Sequence, residues 1–331
     1  MLFRSLPLIS AWLHTGGVEI AGLYNRTLSK AEAAALLYGN PPIYTDPEEL
    51  LMREDVDFVD IITEVPAHKD LTLLAAKFGK PVVCQKPMAP TYQDCLDMLK
   101  ACDKAGVPLY INENYRFQPP VRLVKKLLDE RIIGKPYRAN VRVSTGGPGF
   151  LANQPFLGSL RHYALFDCGT HVFDMARFLF GDPDSVYCKC VRSVDYIKGD
   201  DAFSAILGYK ELVCTCEVVD YYDSKIFIDS TEGAIEFRPD NYTLRVITKQ
   251  KTTDYDCKQW VRQPWISNDD KTLLGPDCAQ AIYDTQEQIL RSLQTGKPCE
   301  SMASDYIKTM RIVFAAIESN LANRAIMLPL W

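Results

Sequence analysis

Apolar and polar positions alternate between two rhythms over the first third of the chain. Short runs rich in β-branched residues, VEIAGLYN (18–25), VDFVDIIT (56–63), KPVVCQ (80–85) and PLYINENY (108–115), predict strands. Between them lie Ala- and Leu-rich stretches with helical spacing. SKAEAAALLYG (29–39) opens on Ser29 as a candidate N-cap and closes on Gly39. PEELLMRED (47–55) is a short helix, AHKDLTLLAAKFG (67–79) puts Leu71, Leu74, Ala75 and Phe78 on one face, and YQDCLDMLKACDKAG (92–106) ends at a glycine. The opening MLFRSLPLISAWLHTGG reads as a helix; as a signal peptide it would lack a small-residue cleavage site. Strands alternating with helices predict parallel pairing and a doubly wound, Rossmann-like α/β sheet. Ligands of such sheets lie beyond the carboxyl ends of the strands. Three strand ends are therefore candidates: Asn25-Arg26, Thr63 to His68, and Gln85-Lys86-Pro87.

From residue 137 the rhythm changes to period two. YRANVRVSTGG (137–147), SVYCKCVRSVDY (185–196), DAFSAILGY (201–209), ELVCTCEVVDYY (211–222), KIFIDST (225–231) and GAIEFRPDNYTLRVIT (233–248) predict strands, many joined by connections short enough for antiparallel pairing. A helical stretch, RHYALFDCGTHVFDMARFLFG (161–181), precedes most of them, and two more helices lie near 278–295 and 303–323. This predicts an α+β domain, an open antiparallel sheet with helices on one face. The expected domains are residues 1–116 and 117–331, with the boundary near RFQPP (116–120).

Composition narrows the class. The chain has 331 residues, enough for about two domains. A hydrophobic content of 47%, a charged content of 24% and a net charge of −5 suit a soluble globular protein. No basic run offers a nucleic-acid footprint, and no apolar run reaches the ~18 residues of a membrane span. The 11 cysteines are scattered without a secreted framework's spacing, which predicts reduced thiols and a cytoplasmic protein. CKC (188–190) and CTC (214–216) each put two thiols on one strand face. Four such thiolates could hold zinc, but the usual knuckle is C-x-x-C and buried free cysteine is common, so packing is the expected role and no metal site is assigned.

Two places carry candidate chemistry. Lys86 ends an apolar strand, where a charge is costly unless it is used; it is either a catalytic ammonium or a side chain that snorkels out of the strand end. In the helical stretch 161–181, Asp167 and His171 are four apart and share a helix face, and Asp174, three beyond His171, is an alternative partner for it. A carboxylate beside an imidazole fixes its tautomer and raises its basicity. The bland alternative is a helix cap and a satisfied core histidine.

In order along the chain, DVDFVDIIT, EVPAH, AAKFGKPVVCQKPMA, INENYRFQP, D-x-G-x-H-x-x-D followed by LFG, and GKP with SDYIKTMRIVFAAIES resemble the motifs of the Gfo/Idh/MocA oxidoreductases. The resemblance implies hydride transfer between a nicotinamide and a carbinol of a sugar, glycoside or cyclitol. It implies that Lys86 reaches between nicotinamide and substrate hydroxyl, that His171 is the acid/base, and that Asp167 orients it. An unperturbed lysine titrates near ~10.4, so His171 is the better proton acceptor and Lys86 the polariser. Thr63, His68, Gln85, Lys86 and Pro87 then line the nicotinamide end. Tyr115, Arg116 and His162 are candidate substrate contacts, with Arg116 alternatively tying the two domains together by an ion pair. Asn153 and Gln154, in the loop 144–160, would set specificity. The helix-free face of the second sheet implies a homodimer or homotetramer.

The sequence departs from the family at two points. Gln85 stands where glutamate is usual, which removes a negative charge beside Lys86. The first strand and its Gly-x-Gly-x-x-Gly turn, which cradles the pyrophosphate, have no counterpart, so neighbouring backbone should be left unpaired. Either the sequence is truncated, or this is a degenerate homologue, non-catalytic or cofactor-deficient, that binds sugar or acts as a scaffold. Asn25 and Arg26, with no acid at that strand end, suit a ribose 2′-phosphate, which inclines the cofactor to NADP over NAD.

Overall fold

The computed structural model describes residues 5–144, 157–219, 224–238, 242–260 and 276–329. The chain forms two compact units, Met1–Glu113 with Ile282–Ile307, and Asn114–Ala281 with Lys308–Trp331. The first division falls three residues before the expected 116/117 boundary. Residues 282–307 belong to the first unit, an assignment that helical periodicity alone does not contain.

In the first unit, helix α1 (Ser5–Thr15) is followed by β1 (Leu23–Tyr24), α2 (Leu28–Leu37), β2 (Ile43–Tyr44) and α3 (Pro47–Leu51). Then come β3 (Val59–Ile61), α4 (His68–Lys77), β4 (Val82–Gln85), α5 (Tyr92–Ala105) and β5 (Leu109–Asn112). These strands pair in parallel but form two separate sheets, β1-β2 and β3-β4-β5, and Tyr110 of β5 makes an isolated antiparallel bridge to Met302. The runs 18–25 and 56–63 shorten to Leu23–Tyr24 and Val59–Ile61 because, among the described residues, each strand has a ladder partner on one side only.

Local chemistry explains the helix ends. Thr27, not Ser29, is the N-cap residue of α2, and the Asn25 side-chain oxygen accepts from the Thr27 N–H at 2.9 Å. Thr91 caps α5 by accepting from the Asp94 N–H at 3.1 Å, and Gly106, at φ 68°, supplies the left-handed residue that stops it. The buried residues of α4 are His68, Thr72, Ala75 and Ala76; of the expected apolar face only Ala75 is fully buried. The β4 residues Val82, Val83 and Cys84 are inaccessible to solvent, and Val83 packs with Trp12, Tyr110 and Ile289.

The second unit starts with α6 (Pro119–Asp129) and β6 (Pro136–Ser144). A π-helix (Ala164–Gly169) runs into α7 (Thr170–Phe180), followed by β7 (Ser185–Val191), β8 (Ala202–Gly208), β9 (Val213–Val219) and β10 (Lys225–Ser230). The run 233–248 is two strands, β11 (Gly233–Arg238) and β12 (Thr243–Thr248), and the polar β13 (Thr252–Asp256) adds a strand that no apolar alternation announces. Helices α8 (Pro276–Thr295) and α9 (Ala303–Ala322) and strand β14 (Ile326–Met327) complete the chain.

These strands make one nine-stranded sheet, ordered β13-β12-β11-β10-β6-β9-β8-β7-β14. It is mixed rather than purely antiparallel, since β6 and β9 pair in parallel from Arg138↔Val213 to Ser144↔Val219. Its inner face (Val141, Ala205, Cys216, Ile228 and neighbours) joins Val124 of α6, Val172, Phe173 and Ala176 of α7, and Val313 of α9 in one core. Cys188, Cys214 and Cys216 are part of that packing, and the described residues hold no metal-ligating cluster. The outer face carries ion pairs, among them Arg142–Glu217 at 2.6 Å and Arg245–Asp254 at 2.6 Å.

Candidate active site

In the first unit, candidate residues gather at the carboxyl ends of β3 and β4. Thr63 follows β3, and Gln85-Lys86-Pro87 closes β4 and runs into Met88. His68, at the start of α4, connects the two ends. Its Nδ1 lies 3.1 Å from the Pro87 carbonyl and 3.3 Å from that of Met88, and its Nε2 lies 3.3 Å from the Thr63 carbonyl. The ring is fully buried, so His68, expected to face nicotinamide, is a clamp between strand ends. Pro87 is buried and Lys86 half-buried.

Gln85 pairs in register with Asn112 on β5. The Gln85 Nε2 and both amide atoms of Asn112 are buried without hydrogen-bond partners among the described residues. A buried polar atom left without a partner costs about 1–3 kcal/mol, so these amides mark a place where a polar ligand completes the network. The donor–acceptor set fits a carboxamide-bearing ring such as nicotinamide. At the β1 end, Arg26 is exposed and the Asn25 oxygen is engaged by its own turn. The fit is to the nicotinamide end of the cofactor.

In the second unit the site is built on the junction of the π-helix and α7. Asp167 lies in the π turn and His171 in the first turn of α7, both buried. A π-helix is rare and recurs at functional sites. Gly169 makes room for it: a Cβ there would stand 3.1 Å from the Phe203 ring and 3.2 Å from the Ala164 carbonyl. The His171 ring stacks on Tyr115, with centroids 3.7 Å apart and planes 11° from parallel, which fixes the imidazole plane.

Beneath this stack lies a buried ion pair. Arg116 donates to Asp174 from Nε at 2.7 Å and from Nη2 at 2.5 Å. Thr309 Oγ1 donates to the same carboxylate at 2.9 Å and accepts from Arg177 Nη1 at 2.9 Å. Arg116, expected to contact substrate or to tie the two domains together by an ion pair, forms an ion pair within the second unit instead. Asp174, expected as an alternative orienter of His171, is the partner of that guanidinium. The pair holds the Tyr115–Phe117 turn against α7.

His162 Nδ1 lies 2.9 Å from Asp200 Oδ2. Burial pushes the Asp200 carboxyl above the usual range, while His162 pulls it back. Asp200 and Thr309 are supporting residues that the sequence does not announce, because their partners are 38 and 135 positions away. Asn153 and Gln154 lie outside the described residues.

Both units match known families. Residues 5–113 match the oxidoreductase family with an NAD-binding Rossmann fold, and residues 121–236 match the GFO/IDH/MocA C-terminal domain. D-apiose dehydrogenase of Paraburkholderia graminis is 29% identical over 98% of this chain and 87% of its own length. The D-apiose dehydrogenase of Rhizobium rhizogenes is 28% identical over 98% of this chain and 94% of its own. Among solved structures, an oxidoreductase from Agrobacterium radiobacter in complex with NAD+, L-tartaric acid and magnesium superposes with a TM-score of 0.90 at 26% identity, covering 98% of this chain and 95% of that one. The two-domain match, together with the fold, shows that this chain belongs to the Gfo/Idh/MocA family of NAD-binding oxidoreductases.

Proposed function

We propose that this protein is an NAD(P)-dependent sugar dehydrogenase, with a small aldose such as D-apiose as the first substrate to test. The bound nicotinamide supplies the hydride acceptor at its C4. Oxidation of a carbinol also needs a base for the hydroxyl proton, and His171 takes that role. Asp167 orients it, and the stack on Tyr115 keeps its ring in plane. Lys86 polarises the hydroxyl. Thr63, Gln85, Lys86 and Pro87 form the nicotinamide end, and His162 with Tyr115 contributes to the sugar side.

Arg26, with no acid at its strand end, favours the 2′-phosphate of NADP. The cysteines are all free thiols, which supports a reducing cytoplasm. The helix-free sheet face supports a homodimer or homotetramer. The observation that carries the reading is the buried His171, held in plane by Tyr115 at the π-helix junction.

The test is turnover of D-apiose and a panel of aldoses and cyclitols with NAD+ and NADP+, followed by nicotinamide absorbance. His171→Ala should lose most turnover. A wild-type chain inactive on the whole panel, or a His171→Ala variant with wild-type turnover, overturns the assignment. Failure to bind millimolar NADPH or NADH would select the alternative, a cofactor-deficient sugar-binding or scaffold subunit.

A further inference from the structure

The loop 192–201, between β7 and β8, is fastened to the segment that leads into the π-helix. The Lys198 N–H donates to the Gly158 carbonyl at 2.8 Å and the Asp200 N–H to that of Arg161 at 3.3 Å, while the Asp200 carbonyl accepts from the Ala164 N–H at 3.2 Å. Gly199 permits this approach: a Cβ there would stand 2.2 Å from the Leu160 oxygen and 2.3 Å from the Arg161 oxygen. Ile197 is buried with Leu157 and Tyr163. Asp201, also buried, accepts from the Ser193 N–H and hydroxyl, and its own N–H donates to the Val191 carbonyl at 3.1 Å. The loop is therefore held on both sides of Asp200, and its carboxylate is presented to His162 Nδ1 at 2.9 Å.

That contact decides what the opposite edge of the ring does. A neutral imidazole that donates from Nδ1 carries a lone pair on Nε2 and accepts there. Among the described residues Nε2 of His162 makes no hydrogen bond, and the side chain keeps 15% of its surface. Asp60 likewise accepts from a ring N–H, that of Trp12 at 2.8 Å, but an indole has no second nitrogen to direct. The His162 carbonyl accepts from the Phe166 N–H at 2.9 Å, so the turn that leads to Asp167 starts at His162. His162 and Asp167 are five apart across the π turn, and Asp167 and His171 are four apart, spacings that set all three on one side of the helix. With His171 as the base for the reacting hydroxyl, a second imidazole acceptor on that side suits a hydroxyl that is not oxidised.

We propose that His162 is a specificity-determining residue: its Nε2 accepts a hydrogen bond from a second hydroxyl of the sugar, and Asp200 is the positioning residue that keeps the proton on Nδ1. The ligand class follows, a polyol with at least two free hydroxyls, the spare one donating. The inference rests on the sugar dehydrogenase reading for its ligand.

The test reads the ring directly. In proton–nitrogen correlation spectra of the full chain with isotope-labelled histidine at pH ~9, above the value near ~6.5 where histidines ordinarily titrate, His162 should carry its proton on Nδ1. Asp200→Asn, which keeps an acceptor oxygen, should retain that form, and Asp200→Ala should lose it. Titrated with each sugar of the panel, the Nε2 resonance should move with at least one while Nδ1 stays. His162→Asn keeps a donor for Asp200 but has no atom in place of Nε2. It should raise KM for that sugar about tenfold, more than it lowers kcat, and should no longer distinguish the sugar from the monodeoxy analogue lacking the bonded hydroxyl. Three results overturn the proposal: a wild-type His162 protonated on Nε2, an Nε2 resonance that no sugar of the panel moves, or a His162→Asn variant that discriminates among the monodeoxy analogues as wild type does. A moving Nε2 resonance without nicotinamide reduction overturns the dehydrogenase reading instead and leaves the sugar contact standing.

Discussion

The two sheets of this protein differ in completeness. The second unit's nine strands form one unbroken ladder, and the residues beneath it (Val141, Val186, Cys216 and Ile228 among them) are sealed from solvent. The first unit's five strands form two ladders, and an acid, Asp60, lies at the break with its carboxyl pushed up to about 7 by burial. The comparison teaches where a sheet can carry chemistry. Lys86 directly follows β4, which is paired on both sides, between β3 and β5. In the second unit His171 sits on a helix packed against the complete ladder.

The largest effect should come from the complete side. His171→Ala is expected to lower kcat by about 10²–10⁴-fold while leaving the denaturant midpoint close to wild type, the range for loss of a positioned general base. Asp174→Ala tests the support beneath it. Stranding the Arg116 guanidinium in the core should cost about 3–5 kcal/mol in chemical denaturation, and Asp174→Asn, which keeps an acceptor, should cost less.

The incomplete side is probed by pH. Asp60 titrates near 7 in the folded protein against about 3.8 for an ordinary aspartate, so between those values the folded state binds the extra proton. Its stabilising contribution is full below pH ~4 and is lost as pH rises through 7. Asp60→Asn should therefore gain stability relative to wild type as pH rises from 4 to 8, by up to about 4 kcal/mol. Melting curves that run parallel for the two proteins at every pH would contradict this. The smallest effect concerns the cofactor: Arg26→Ala should shift the NADP+ to NAD+ preference about tenfold toward NAD+, as expected for one charge-assisted contact. Measurement of kcat/KM with each cofactor decides it.

Much of this architecture is legible in the residues themselves. Period-two runs locate most second-unit strands, and the glycine after α5 marks its end. The motif from Asp167 to Asp174 identifies the helix that carries His171. What the sequence hides is whatever depends on a partner elsewhere. Leu23–Tyr24 and Val59–Ile61 are short because ladders need neighbours, and β13 is polar because it lies at the sheet edge. Arg116 reads as equally able to meet substrate or an acid, and only the fold supplies Asp174, 58 positions on. His68 reads as a cofactor contact because its burial and its three carbonyl neighbours come from two different strand ends.

The Trp12–Asp60 hydrogen bond gives the first unit an optical reporter. Indole emission responds to a charge placed against its N–H, so a fluorophore native to the chain watches the state of one carboxyl. A colour shift near neutral pH would then measure locally what a melting curve averages over the whole molecule.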